Sequence, residues 1–270
     1  VRLPIVGDIA SWQFTFIAVG LPGILLAMIL ATLAEPMRKE TLTDTGASNV
    51  SWSEGVNFVR SRKKVYGAYL LGAPFIVISL YALQAWVPTL LIRVHGMDIA
   101  DAGRSYGSIA LLCGSAGVLS GPILAKYFTR KGRKDAGLRV AMLAAAALLP
   151  AIVFAGFTAD TTLALVAIGV SSFFVTVPMA LFTTGLQAVT PNEMRGVIAG
   201  IYVVIVNLFG LALGPTSVAL VTDYVFADAG AVGASMAVVC AVSLPIAMLM
   251  FYVGMGEGSS SDPEGAVVGR

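Results

Sequence analysis

Residues 161–189 read TTLALVAIGVSSFFVTVPMALFTTGLQAV and contain no Asp, Glu, Lys, Arg or His. A helix rises about 1.5 Å per residue, so about 20 apolar residues cross the roughly 30 Å hydrocarbon core of a bilayer. This stretch is long enough. Outward from it, residues 13–34, 65–92, 105–125, 140–157, 197–222 and 229–254 are also free of charged residues and close to or above that length. A charge at mid-membrane costs about 2.5–3.5 kcal/mol on insertion scales. Seven such stretches predict an all-α polytopic membrane protein with seven transmembrane helices. Composition agrees: 57% of residues are hydrophobic and 12% charged, against about 25% charged in soluble domains, and the mean hydropathy is +0.88.

The net charge of +2 says little, but its distribution is informative. Of 17 Lys and Arg, only Arg2, Arg93 and Arg104 fall at one set of alternating span ends. The rest group after the first span (Arg38, Lys39, Arg60, Arg62, Lys63, Lys64), after the third (Lys126, Arg130, Lys131, Arg133, Lys134, Arg139), and at Arg195 and Arg270. Positive residues near span ends stay cytoplasmic, which predicts an outside N-terminus and an inside C-terminus. Alternation of this kind is a topology signal, and it argues against nucleic acid as a partner of the basic loops. Cys113 and Cys240 sit mid-span and read as small packing residues, with no metal or other cofactor implied. The chain opens at Val1 with no charged segment ahead of its first span. It therefore does not start like a signal peptide, and the expectation is a fragment with spans missing upstream.

Residues 35–64 form the longest connection and read as a linker. Ser51 and Glu54 fit a capping box, in which each side chain satisfies a free amide at a helix start. Trp52, Val56 and Val59 then recur at helical spacing before Arg60, Arg62 and Lys63. This predicts an amphipathic helix at the cytoplasmic lipid surface. Residues 255–270, rich in Gly and Ser, predict a disordered cytoplasmic tail. Gly103, Gly107, Ala110, Gly114, Gly117 and Gly121 make a small-residue face on the third span, and Gly210, Gly214 and Ser217 make one on the sixth. Such faces let helix backbones approach closely in lipid. Every span from the second onward carries a proline, consistent with either plain kinks or interrupted helices.

Enzyme motifs are missing: no HExxH, no GxSxG and no glycine-rich phosphate loop before a lysine occur. His95 is the only histidine and lies between spans. A retinal protein needs a mid-membrane lysine, which is absent, and the DRY-type and NPxxY-type receptor patterns are absent too. A seven-helix receptor or structural membrane protein stays open as a different class. Within the spans the chemistry is polar and uncharged. Ser172, Thr176, Thr183 and Gln187 share one face of the fifth span. Tyr81 and Gln84 stand one turn apart on the second, with Phe75 and Ser79 nearby, and Tyr202 and Asn207 lie on the sixth. In lipid such groups face another helix or a water-filled cavity. Two readings follow, interhelical glue or the wall of a substrate cavity. Both stand for Tyr81, Gln84, Thr176 and Asn207, and glue is the simpler one for serines and threonines elsewhere.

Several motifs resemble the major facilitator superfamily. The first span, from Trp12-Gln13-Phe14 through Gly20-Leu21-Pro22-Gly23 to Glu35-Pro36, is similar to the family's sixth helix, and the basic connection after it to the linker between the two six-helix halves. Gly121-Pro122-Ile123-Leu124-Ala125-Lys126, continuing to Gly132-Arg133-Lys134-Asp135, resembles the loop between helices eight and nine. Pro191-Asn192-Glu193-Met194-Arg195-Gly196, then Asn207, Gly210 and Gly214-Pro215, resembles helix eleven of the bacterial spinster-like branch. The resemblance implies residues 1–34 as an outer loop and the last helix of the N-terminal half, 35–64 as the inter-half linker, and 65–254 as the C-terminal six-helix bundle. The missing N-terminal half would be its partner.

By the same resemblance the chain is part of a secondary transporter in the bacterial inner membrane, working by alternating access on a small or amphipathic, lipid-like solute. A sugar acid or other organic anion is the alternative. Proton-coupling acids would then sit in the other half, in keeping with the charge-free spans. The family loop usually carries an acid where Lys126 stands, docked on a helix start. A lysine is repelled by the positive end of a helix, which argues against that latch here.

Overall fold

The computed structural model describes residues 2–3, 7–8, 10–32, 52–133 and 135–258. It divides the chain into two units, Val1–Ser48 and Asn49–Arg270. In the first unit, β1 (Arg2–Leu3) pairs antiparallel with β2 (Gly7–Asp8), and α1 (Ser11–Ala31) is apolar around its whole circumference. A helix with no polar face suits a membrane span.

The second unit opens with α2 (Trp52–Ser61). Next come α3 (Lys63–Gly67), a π turn (Ala68–Gly72) and α4 (Ala73–Arg93), which together are the second span. The third is α5 (Ile99–Ile109), a π turn (Ala110–Gly114) and α6 (Ser115–Arg130). The fourth is α7 (Ala136–Phe157), and the fifth is α8 (Thr161–Thr176) followed by α9 (Met179–Ala188). The sixth is α10 (Arg195–Leu220) with a π turn (Val221–Phe226), and the seventh is α11 (Val232–Gly258). All seven spans are long and apolar enough to cross a membrane. Several outrun their charge-free stretches, as in Lys63–Arg93, Ile99–Arg130 and Arg195–Phe226. Long basic side chains reach water from within a helix end, so the helix need not stop where the charge begins.

The prolines settle into both readings. Pro88, Pro122, Pro150, Pro215 and Pro245 lie inside continuous helices. The fifth span is interrupted, with α9 capped by Pro178. Pro178 lacks the N–H that would continue the α8 ladder.

In the second unit α4 packs against α10 and α11, α7 against α8 and α11, and α6 against α7 and α8. Tyr66, Leu83, Leu90, Leu148, Ile168, Met236 and Phe251 are fully buried between them. Large apolar residues such as Leu111, Leu119, Ile123, Val203, Leu208 and Leu249 point outward. That distribution would be unstable in water and is the expected one in hydrocarbon, where association rests on close packing.

The glycine faces are used in part. A Cβ on Gly117 would collide with Thr176 Oγ1 and the Phe173 carbonyl, and one on Gly121 with the Val177 carbonyl, so α6 lies backbone-close on the fifth span. Gly103 and Gly107, higher on the same face, meet nothing. On α10, a Cβ on Gly210 would stand 2.5 Å from Val77, and one on Gly214 2.8 Å from the Ile78 carbonyl. A further seam joins Gly156 of α7 to Gly233 of α11, where each would strike the other's carbonyl.

Short polar links cross the bundle: Ser79 to Ser243 (3.1 Å), Thr222 to Ser235 (2.8 Å), Tyr66 to Thr190 (3.0 Å) and the Trp86 indole to the Pro215 carbonyl (2.9 Å). Asp98 and Asp160 accept amides at the starts of α5 and α8, as N-cap carboxylates do. After α6, Gly132 at φ +77° and Arg133 donate their amides to Thr129 and Phe128, a Schellman closure.

One boundary differs from the sequence expectation. α11 continues to Gly258, because Gly254 and Met255 are buried with Gly254 against Ala68, so residues 255–258 are helical rather than tail. Residues 259–270 lie outside those described, as do 33–51, Lys134 and with them the Ser51 capping box. The expected amphipathic helix is present as α2, but Phe58 and Val59 pack on the core. Phe58 meets Tyr66 edge-on at 6.2 Å. The helix therefore docks on the protein through Phe58 and Val59.

Candidate functional site

The ten polar and aromatic candidates separate into four places. Gln84, Ser172 and Thr176 converge on one cavity of about 70 Å³, between α4, the third span and α8. Its floor is apolar (Leu80, Leu83, Val175), and Tyr106 and Gly114 complete it. α8 presents Ser172 and Thr176 one turn apart, and the close backbone approach at Gly117 brings the third span against them. Thr176 Oγ1 lies 2.9 Å from the Gly114, Ser172 and Phe173 carbonyls. A hydroxyl has one proton to share among them. Ser172 Oγ is buried with no hydrogen-bond partner, and Gln84 is exposed with a free amide face. A buried hydroxyl without a partner costs about 1–3 kcal/mol, a cost that a water or polar solute group reaching Ser172 would relieve. Its lining is neutral. It can donate and accept hydrogen bonds but has no group for acid–base or covalent chemistry.

Thr183, Gln187 and Tyr202 line a smaller pocket of about 30 Å³ between α9 and α10, together with Thr190 and Arg195. Tyr81 donates to Asn207 Oδ1 (3.2 Å), whose amide nitrogen donates to the Val203 carbonyl (2.8 Å). This pair bridges α4 and α10 and leaves little of the Asn207 amide free. Ser79 is fully buried on Ser243, and Phe75 packs on the core. Neither reaches the cavity, and Ser79 is interhelical glue.

Sequence reasoning missed Tyr106 and the Gly114 carbonyl. Tyr106 carries a signal that was available: it is the one aromatic hydroxyl of the 105–125 stretch, one turn below Gly103. The Gly114 carbonyl has none, because it accepts Thr176 through the local geometry of the Ala110–Gly114 π turn, a form common at functional sites. Among the described residues no group of three or more His, Cys, Asp or Glu is placed to hold a metal.

Comparison with known proteins decides the family. The family model described as Major Facilitator Superfamily matches residues 3–215. The chain belongs to the major facilitator superfamily. Similar curated proteins include the probable galactarate/D-glucarate transporter GudP of Bacillus subtilis (strain 168), 25% identical over 221 residues, covering 74% of this chain and 47% of that protein. An MFS-type efflux pump of Mycolicibacterium smegmatis is 26% identical over 223 residues, covering 82% and 50%. The hexuronate transporter of Bacillus subtilis is 23% identical over 256 residues, covering 87% and 60%. The chain thus spans about half the length of the curated relatives it matches. Its fold resembles a bacterial homolog of the human lysosomal transporter Spinster. The inward-facing unoccupied form has TM-score 0.59 at 20% identity, with 93% of this chain and 59% of that one covered. The occupied form has TM-score 0.55 at 22% identity, covering 96% and 60%. The family comprises transporters, not enzymes, and its members are multi-pass membrane proteins.

Within this major facilitator fold the loop-motif residues have structural work. Gly121 lies against Val177 and Gly132 closes α6. Lys126 and Arg133 are exposed. Asp135 accepts from Arg139 Nε at 2.9 Å. Arg195 Nε donates to the Gln187 (3.0 Å) and Thr190 (3.1 Å) carbonyls, placing a cation where the α9 dipole is negative. Gly196 meets nothing where a Cβ would stand.

Proposed function

We propose that this chain supplies one wall of the central cavity of a secondary transporter of the bacterial inner membrane that works by alternating access, its seven spans corresponding to the family's sixth helix and its C-terminal six-helix half. The observation that carries this is the convergence of Gln84, Tyr106, Ser172 and Thr176 on one neutral cavity with an unpartnered hydroxyl. In this reading the cavity is the second half's contribution to substrate binding. Ser172 and Gln84 hydrogen-bond a solute hydroxyl, and the charged group that would hold a carboxylate, like any proton-coupling acid, comes from the other half. A small polyhydroxy acid suits the cavity. Its neutral hydrogen-bonding lining has a partner for each solute hydroxyl it meets, which ranks an amphipathic lipid second, and relatives named for glucarate and hexuronate transport point the same way.

The test is uptake of labelled D-glucarate by a protein in which a complete first half precedes this chain. One lost neutral hydrogen bond weakens binding by about 0.5–1.5 kcal/mol, roughly twofold to tenfold. Gln84→Ala and Ser172→Ala should each raise the KM for uptake by that factor with membrane expression retained. Unchanged uptake in both variants would remove the cavity from the transport route.

A further inference from the structure

A second and larger cavity has no place in that reading. It is a groove of about 500 Å³ between the start of the second span and α10. Its walls are Gly67, Leu70 and Leu71 on one side, and Val197, Ile201 and Ile205 on the other. Two cations, Arg60 and Lys63, stand at its mouth, where α2 meets α3. Tyr66 adds a third polar side chain, but its hydroxyl is spent on Thr190 (3.0 Å) and the Val189 carbonyl (3.3 Å). Arg62, next to the mouth, lies over the Phe58 ring at 5.0 Å instead. The groove thus offers two positive charges at one end and hydrocarbon everywhere else.

Its length is informative. From Lys63 to Leu71 the helix rises about 12 Å, and from Val197 to Ile205 the same, at 1.5 Å per residue. That is close to one leaflet of a roughly 30 Å core. The basic end is also the end that the distribution of Lys and Arg assigns to the cytoplasm, where anionic lipids concentrate positive segments. A sugar acid is excluded, since its hydroxyls would have no partner along the walls. We propose that this groove binds an anionic phospholipid of the inner leaflet, its phosphate between Arg60 and Lys63 and one acyl chain along Leu70, Leu71, Ile201 and Ile205.

The experiment uses the whole chain in detergent micelles doped with spin-labelled phosphatidylglycerol or spin-labelled phosphatidylcholine, reading the motionally restricted fraction. The wild type should restrict phosphatidylglycerol about thirtyfold more strongly than phosphatidylcholine at low salt, as two basic residues at a membrane surface imply. In R60Q/K63Q the two lipids should be restricted equally, with helix content by circular dichroism unchanged. Ile201→Trp, which fills the groove from a partly exposed position, should reduce both. Equal restriction by the wild type would overturn the headgroup assignment. Lipid restriction unaltered by Ile201→Trp would place the bound lipid elsewhere, or a protein segment in the groove, and overturn the site. Neither readout involves transport, so the outcome is independent of the Gln84 cavity.

Discussion

Gly132 and Ala227 both hold left-handed backbone, at φ +77° and φ +49°, but only one of them is a residue that does so freely. Left-handed geometry costs an L-residue about 1–2 kcal/mol, and Gly nothing. Gly132→Ala should therefore lower stability by about 1 kcal/mol through the α6 closure, whereas Ala227→Gly, at the end of the sixth span, should raise it by a similar amount. Thermal unfolding in detergent checks both signs together. A loss in each case would mean that the Ala227 methyl contributes more than its strain costs. The candidate hydroxyls separate at this scale too. Ser79 has a partner hydroxyl on α11 and Ser172 has none, a difference that no pattern of spacing in a single helix carries.

At the level of helices, glycine spacing says where close approach is permitted, and the partner helix decides where it happens. Gly117→Ala should cost about 1–3 kcal/mol, the usual range for overpacking, because the added methyl runs into the Phe173 carbonyl. Gly107→Ala should be close to neutral, since a Cβ there meets open space. Equal melting temperatures for the two variants would contradict the α6–α8 contact. The existence of all seven spans was legible in the sequence, since an apolar stretch of some 20 residues without a charge matches the thickness of a bilayer core. Their partners were less so. The sixth-span GxxxG at Gly210 and Gly214 announced a close approach, and the structure supplies its partner, α4. Gly156 and Gly233 did not, being single glycines on different helices that matter only once α7 and α11 meet. The cavity was half legible. The stripe of Ser172 and Thr176 and the amide of Gln84 were visible as polar groups in apolar spans. Thr183 and Gln187 lie beyond the Pro178 break, on α9, and open into a different pocket.

For the whole molecule, the neutrality of the spans is the governing property. Among the described residues, the side-chain bonds that cross the second unit's interior join uncharged groups, each worth about 0.6 kcal/mol on average in a membrane. The bundle is therefore held by the sum of its packing, and no single polar substitution such as Ser79→Ala should unfold it. The same neutrality bears on activity. In the proposed mechanism one half offers one wall and no coupling charge, so liposomes containing this chain alone should take up no more labelled D-glucarate than empty ones. Flux from the isolated chain would require a route that the two-walled reading does not contain.

Arg195, the first residue of the sixth span, bonds the Gln187 carbonyl in the last turn of the fifth and the Thr190 carbonyl in the connection between them. A corner clamped in this way passes torque on instead of absorbing it. If the sixth span tilts, the α9 segment is carried with it as one lever arm. The next interruption along the fifth span is the Pro178 break, two residues after Thr176. Movement at one membrane face would in this way be delivered to the residues that line the polar cavity.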